Sequence, residues 1–197
     1  MPVNALDLVL TTVNGGGNPR TVSKNTALTR GEVAVFLGKW SYVEPEWNSR
    51  FTYDDTGSHW SAGYVNALYR RGILYEDGRF FYPDRKIRKD ELCVYLDRLL
   101  VLPDTINFHA FSFRDVPMSS PAYNSISKLC YFNVVSGQNK NFFRPEEDVT
   151  ASDLSVIVEQ IKRYEYPINP DRPKERSHYR PTGPIDPEEH APYINPR

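Results

Sequence analysis

Cysteine is scarce in this chain of 197 residues: there are two, Cys93 and Cys130. They form no CxxC pattern and are too few for a disulfide framework, and each lies among apolar residues of a predicted helix, so both read as buried thiols. Long apolar runs are also missing. The longest candidate, residues 6–13, is interrupted by Asp7, Thr11 and Thr12, far short of the roughly 18 to 20 residues that span a bilayer as a helix. The first basic residue, Arg20, lies beyond Gly15, Gly16 and Gly17, so the chain as given carries no secretory signal pattern. Nor is there an excess of one charge. The 24 basic and 25 acidic residues leave a net charge of -1, which excludes a broad positive field for nucleic acid or an anionic membrane and makes any anion recognition local.

Catalytic patterns are absent too. His59, His109, His178 and His190 show no metal-ligand spacing. The three glycines lack the lysine and hydroxyl residue of a phosphate-binding loop. Acidic neighbours such as Asp54 and Asp55, or Glu146 and Glu147, have no reason to face each other across a cleft as a glycosidase pair must. No enzyme activity, metal or cofactor is expected.

What is present is an ordinary globular composition, 40% hydrophobic and 25% charged, enough for one domain with a tail or two small domains. Its unusual features are 13 tyrosines and 16 prolines, eight of the prolines within residues 166–197. That segment has only Ile168, Ile185 and Ile194 as aliphatic residues and balances five basic against five acidic charges. It reads as an extended proline-rich arm that cannot offset its own ordering entropy, with Tyr179, Tyr193 and Ile194 as candidate docking residues for a protein partner.

Self-similarity organises the remainder. LTRGEVAVFLGKW (28–40), IRKDELCVYLDRL (87–99) and VTASDLSVIVEQI (149–161) align without gaps. Each places apolar residues at i, i+3, i+4 and i+7: Val33, Phe36, Leu37 and Trp40; Leu92, Tyr95, Leu96 and Leu99; Leu154, Ile157, Val158 and Ile161. Three amphipathic helices follow. The segments before the second and third also correspond, pairing Asp55 with Asp115, Val65 with Ile126, Leu68 with Leu129, Phe81 with Phe143 and Pro83 with Pro145. The unit is a first helix, a turn, a Phe-Phe stretch, a proline and a second helix. Phe81 and Phe143 are the predicted core members of the aromatic pairs, and Asp55 and Asp115 are predicted to fix turns or helix caps rather than to perform chemistry. The first unit is shorter, with a reduced first helix predicted around residues 5–13.

Phe51, Asp55, His59, Trp60, Leu68, Gly72, Ile73, Phe81, Pro83, Ile87 and Glu91, together with the LTRGE motif at 28–32, resemble the S-layer homology repeat. The third unit departs from the pattern, with Pro121 for the tryptophan, Asn133 for the glycine and Ala151 for the arginine. The resemblance implies a mainly α fold in which helical repeats pack as a pseudo-trimer. It divides the chain into a partial first repeat (1–27), its second helix and linker (28–50), repeat two (51–102), repeat three (103–165) and the arm (166–197). It also implies a non-catalytic module at the bacterial cell envelope that binds secondary cell-wall polysaccharide or another anionic glycan in grooves between repeats. Arg30, Lys89 and Trp60 are the ligand contacts it suggests, with Arg88 beside Lys89.

The helix starts support an anion site on physical grounds. Thr29 and Glu32 form a capping-box pattern that places Arg30 in a first turn, where the helix dipole disfavours a cation by roughly 0.3–1 kcal/mol unless something compensates. Free N–H groups and an arginine converging there would suit a carboxylate or phosphate. The alternative reading is a structural assembly protein, such as a virion decoration, neck or tail component, using the scaffold and arm for protein contacts.

Overall fold

The computed structural model describes residues 4–15, 17–47, 52–74, 78–103 and 113–171. Six helices form there: α1 (Ala5–Asn14), α2 (Arg30–Trp40), α3 (Ala62–Arg70), α4 (Lys89–Leu99), α5 (Tyr123–Tyr131) and α6 (Ala151–Arg163). Among the described residues β-structure is confined to isolated bridges, so the protein is mainly α. None of these helices is long and apolar enough to cross a membrane.

The predicted capping box starts α2. The Thr29 hydroxyl accepts from Glu32 N at 3.2 Å, and the Glu32 carboxylate accepts from Thr29 N at 2.8 Å. Thr150 and Asp153 repeat the arrangement at α6, at 3.2 and 2.9 Å. At α4 an arginine side chain cannot accept, and only the reverse bond survives, from Arg88 N to Glu91 at 3.0 Å.

Turn chemistry repeats as well. Gly72 and Asn133 follow α3 and α5 with φ of 71° and 55°. Asparagine tolerates the left-handed region better than most residues, which is how the third unit keeps its turn without the glycine. Tyr82 and Arg144 also have positive φ, 55° and 61°. Asp55 holds the first of these turns by accepting from Phe81 N at 2.9 Å and Tyr82 N at 2.6 Å. Asp115 holds the second through Phe143 N at 3.0 Å and Arg144 N at 2.7 Å. Charge-assisted bonds of this kind offset the roughly 1–2 kcal/mol of a left-handed residue.

The three units join in a cycle. Leu28 N donates to Val149 O at 2.8 Å, Val149 N to Ile87 O at 3.0 Å, and Ile87 N to Leu28 O at 3.0 Å. The helix starts interlock in the same order. Arg30 N and Gly31 N donate to Arg85 O and Pro83 O; Lys89 N and Asp90 N donate to Glu147 O and Pro145 O; Ala151 N and Ser152 N donate to Thr26 O and Lys24 O. Helix packing closes the same circuit, with α3 on α2, α5 on α4 and α1 on α6. The first helix of each unit thus packs on the second helix of the unit before it, and α1 completes the circuit despite the shortness of its unit.

Burial follows the repeat pattern in the aromatic pairs and departs from it in two helices: α4 is buried at every position from Asp90 to Leu96, and α2 more extensively still. Phe81 and Phe143 are core residues while Phe80 and Phe142 are exposed, as alternation requires. Both cysteines are buried and free, and burial pushes the Cys93 thiol well above its ordinary range and Cys130 up to about 12. Helix α2 is buried on every side from Arg30 to Gly38. Gly38 permits this, since a Cβ there would stand 2.3 Å from the Tyr64 ring.

After α6 the chain does not leave the body at residue 166. Tyr166 donates its hydroxyl to Phe132 O at 2.7 Å, Val101 N reaches Pro167 O at 2.9 Å, and Asn169 N reaches Leu99 O at 3.0 Å. Asp171 pairs with Arg71 at 2.9 Å. Residues 166–171 of the segment read as an arm are therefore docked through main-chain bonds, the Tyr166 hydroxyl, one ion pair and the packing of Tyr166 and Ile168 against the core. Tyr179, Tyr193 and Ile194 lie outside the described residues.

Candidate functional site

The N–H groups that made the helix starts attractive as anion sites are occupied. The two leading N–H groups of α2, α4 and α6 each donate to a carbonyl of the neighbouring unit, so they are closed to a ligand. What remains at the three unit boundaries is set by the side chain at the position of Arg30, Lys89 and Ala151.

Between the first and second units the space is filled by Arg30 itself, 1% exposed. Its Nε donates to Phe81 O at 2.7 Å, its guanidinium lies 4.5 Å from the Phe81 ring centroid, and it pairs with Glu91. Glu91 is wholly buried and also pairs with Arg85. Burial alone would raise the Glu91 carboxyl, but Arg30 and Arg85 outweigh it and hold the group below its ordinary value. Here lies the compensation that a cation in a first turn requires.

Where the third unit has Ala151, the acid of the first unit takes its guanidinium from its own loop. Glu32 accepts Arg20 Nε at 2.7 Å and a terminal nitrogen at 2.6 Å, with Asn18 at 2.7 Å. Burial again opposes ionisation of Glu32, and Arg20 with Thr29 N and Asn18 prevails, leaving its pKa lowered.

The boundary between the second and third units is open. Lys89 turns to Glu147 at 2.5 Å, and Glu147 also accepts from Arg144 at 2.8 Å. Those two bonds lower the Glu147 pKa. Beside the pair lies a cavity of about 580 Å³ over Leu92, Cys93, Phe143 and Ile157, with Gln138, Gln160 and Tyr164 also lining it.

Of the ligand residues suggested by the sequence, the structure brings Lys89 alone to this cavity. Arg30 sits in the closed boundary. Arg88 is held by Asp90 at 2.7 and 3.1 Å. Trp60 is half-buried beside His59, ring centroids 5.6 Å apart, and His59 faces Gly31 rather than the cavity. Sequence reasoning missed Gln138, Gln160 and Tyr164. Gln160 is an ordinary polar residue on the flank of α6, and Tyr164 lies just past the last repeat-aligned position, so neither carried a pattern.

Asp90, beside this boundary, gives a pH signature. Burial, reinforced by Glu91 and opposed by Arg88, pushes its carboxyl up to about 6. A raised carboxyl binds its proton more tightly in the folded state, so its contribution to stability falls as pH rises from about 4 through about 6. The difference in unfolding free energy between Asp90→Asn and wild type should therefore move in favour of the variant by about 1–3 kcal/mol from pH 4.5 to 7.5. Urea denaturation at the two pH values checks this.

Comparison with known proteins gives these features a family. Residues 52–93 and 112–150 match the S-layer homology domain, and the chain carries S-layer homology repeats at those positions. It is similar to an amylopullulanase of Thermoanaerobacterium thermosulfurigenes, 25% identical over 138 residues, and to the exoglucanase XynX of Acetivibrio thermocellus, 26% identical over 136 residues. Those matches cover 68% and 66% of this chain but only 7% and 12% of the relatives. The chain thus spans a small fraction of either enzyme. The S-layer homology domain is a non-catalytic cell-wall anchoring domain, which points to the cell surface or envelope. Nothing in these matches supports virion assembly or a protein partner.

Proposed function

We propose that this chain is a non-catalytic module that anchors the protein carrying it to bacterial cell-wall polysaccharide, with the glycan held in the cavity between α4 and α6. The cyclic bonding of residues 28, 87 and 149 supports the pseudo-trimeric packing that the family resemblance implies, in which ligand lies between repeats. The observation that carries the site is the opening of one unit boundary: Lys89 swings to Glu147 and leaves about 580 Å³, within the range of small-ligand sites, whereas Arg30 fills the equivalent space one unit earlier. The polymer implied by the resemblance is anionic. Lys89 belongs to the cavity, while Arg30 acts as a strut in the neighbouring boundary, and Arg88 and Trp60 lie beside the helix starts.

The test is co-sedimentation of the chain with purified wall sacculi of Acetivibrio thermocellus. Saturable binding is expected, and it should disappear when the sacculi have been stripped of their polysaccharide by acid extraction. Equal binding to stripped sacculi, or none to intact ones, contradicts the proposal.

A further inference from the structure

Asp171, the last described residue, is held against the body at a definite point. Arg71 donates its Nε to Asp171 at 2.9 Å and pairs with Glu46 at 3.4 Å, and Glu46 also takes Arg70 at 2.9 Å. Two cations and two carboxylates balance there. The segment that follows, residues 172–197, therefore starts beside Glu46 and its neighbour Trp47.

Residues 42–47 form a strip that is fixed from below and aromatic at both ends. Val43 N donates to Gly38 O at 2.9 Å, Glu46 N to Gly63 O at 2.9 Å, and Glu46 O accepts from Asn66 at 3.3 Å. Trp47 lies so close over Gly63 that a Cβ there would stand 2.7 Å from the indole, yet Trp47 is 50% exposed. Its ring is a held platform. At the other end Tyr42 has φ 57° and is 93% exposed. It sits just past the end of α2, where the Val43-to-Gly38 bond closes a Schellman turn and glycine is the usual residue. A tyrosine there costs about 1–2 kcal/mol of backbone strain, and no described residue covers its ring. Glu44, exposed between the two aromatics, has no ion-pair partner among the described residues.

The segment beyond Asp171 has the chemistry to cover such a strip. Residues 172–180 carry Arg172, Lys174, Arg176 and Arg180 against Glu175 alone, whereas residues 181–197 carry Asp186, Glu188 and Glu189 against Arg197. Its balanced total charge thus conceals a basic half next to Trp47 and an acidic half farther on. Cations and prolines both dock on aromatic faces. Nine residues in a polyproline-like conformation span about 28 Å, and residues 42–47 extend over at most about 18 Å. Tethering at Asp171 also gives the segment a local concentration on the order of millimolar, which favours it over a second copy of the chain.

We propose that residues 172–180 lie along the strip 42–47 of the same chain, with Pro173 and its flanking cations over Trp47, basic side chains facing Glu44, and Tyr179 reaching Tyr42. Of the residues expected to dock a protein partner, Tyr179 is then engaged within the chain, and the acidic half is what remains for other molecules.

Backbone 15N relaxation of the full chain tests this, in wild type, in Trp47→Ala and in the double variant Lys174→Glu, Arg176→Glu. The double variant lies outside the folded body and leaves its stability alone. Order parameters of about 0.8 are expected for residues 172–180 in wild type, falling below about 0.6 in both variants while the helices keep theirs. Wild-type values already below about 0.6 overturn the proposal. Values that stay high in both variants overturn it too, because the segment is then seated elsewhere. Order that disappears on dilution makes a second copy the occupant and contradicts docking within one chain.

Discussion

Replacing Arg30 with alanine should cost about 3–5 kcal/mol of unfolding free energy, because it leaves the buried Glu91 carboxylate with one of its two cations removed. The loss has several parts that reinforce one another. The guanidinium donates to Phe81 O, lies over the Phe81 ring and fills the boundary between the first and second units. Truncation leaves a void there as well as an unsatisfied carbonyl. Glu91→Gln should also be strongly destabilising, but the two changes together should cost less than their sum, with a coupling of about 1–3 kcal/mol. Urea unfolding of the two single variants and the double variant measures it. A surface ligand contact would behave in the opposite way, since Arg30→Ala would then shift stability by less than about 0.5 kcal/mol.

Val9→Asp should be comparably damaging, at about 4 kcal/mol or more, whereas Thr11→Asp two residues away should change stability by less than about 0.5 kcal/mol. Val9 is fully buried and Thr11 is exposed. The contrast matters because α1 packs on both α6 and α2, so it joins the last unit to the first. A carboxylate at Val9 is placed in that closure with no cation in the pattern of α1 to meet it. The first turn of the helix adds only the acidic Asp7, and its last turn has no basic residue. Denaturant midpoints of the two variants decide the matter. Equal, small effects would mean that α1 is a dispensable leader and that the units stack without closing.

Most of the helical frame was legible in the sequence because it depends on local periodicity. The three aligned segments became α2, α4 and α6, and the matched Asp55 and Asp115 proved to hold equivalent turns. The proline-marked Phe81 and Phe143 went inside as alternation demands. What was hidden depends on partners far along the chain. Arg30 looked like an outward cation because periodicity assigns polar residues to the solvent face, and nothing local announces Glu91, 61 positions away. Lys89 finds Glu147, 58 positions away, for the same reason. The occupied N–H groups at the helix starts were equally invisible, since any residue can supply a carbonyl. Ala151 could be read as the loss of a contact, but the sequence did not show that Arg20 would supply a guanidinium to Glu32. Docking of residues 166–171 was masked by a composition that otherwise reads as an arm.

At the aligned first-turn position the three boundaries carry different residues, and their fates differ: Arg30 fills one, Ala151 is fully buried in another, and Lys89 leaves the third open. Native mass spectrometry of the full chain with oligosaccharides released from wall polysaccharide of Acetivibrio thermocellus tests this most directly. One oligosaccharide should bind per chain, and Gln160→Ala should remove it. Two or three bound per chain, or one that persists in Gln160→Ala, would contradict a single glycan site between α4 and α6.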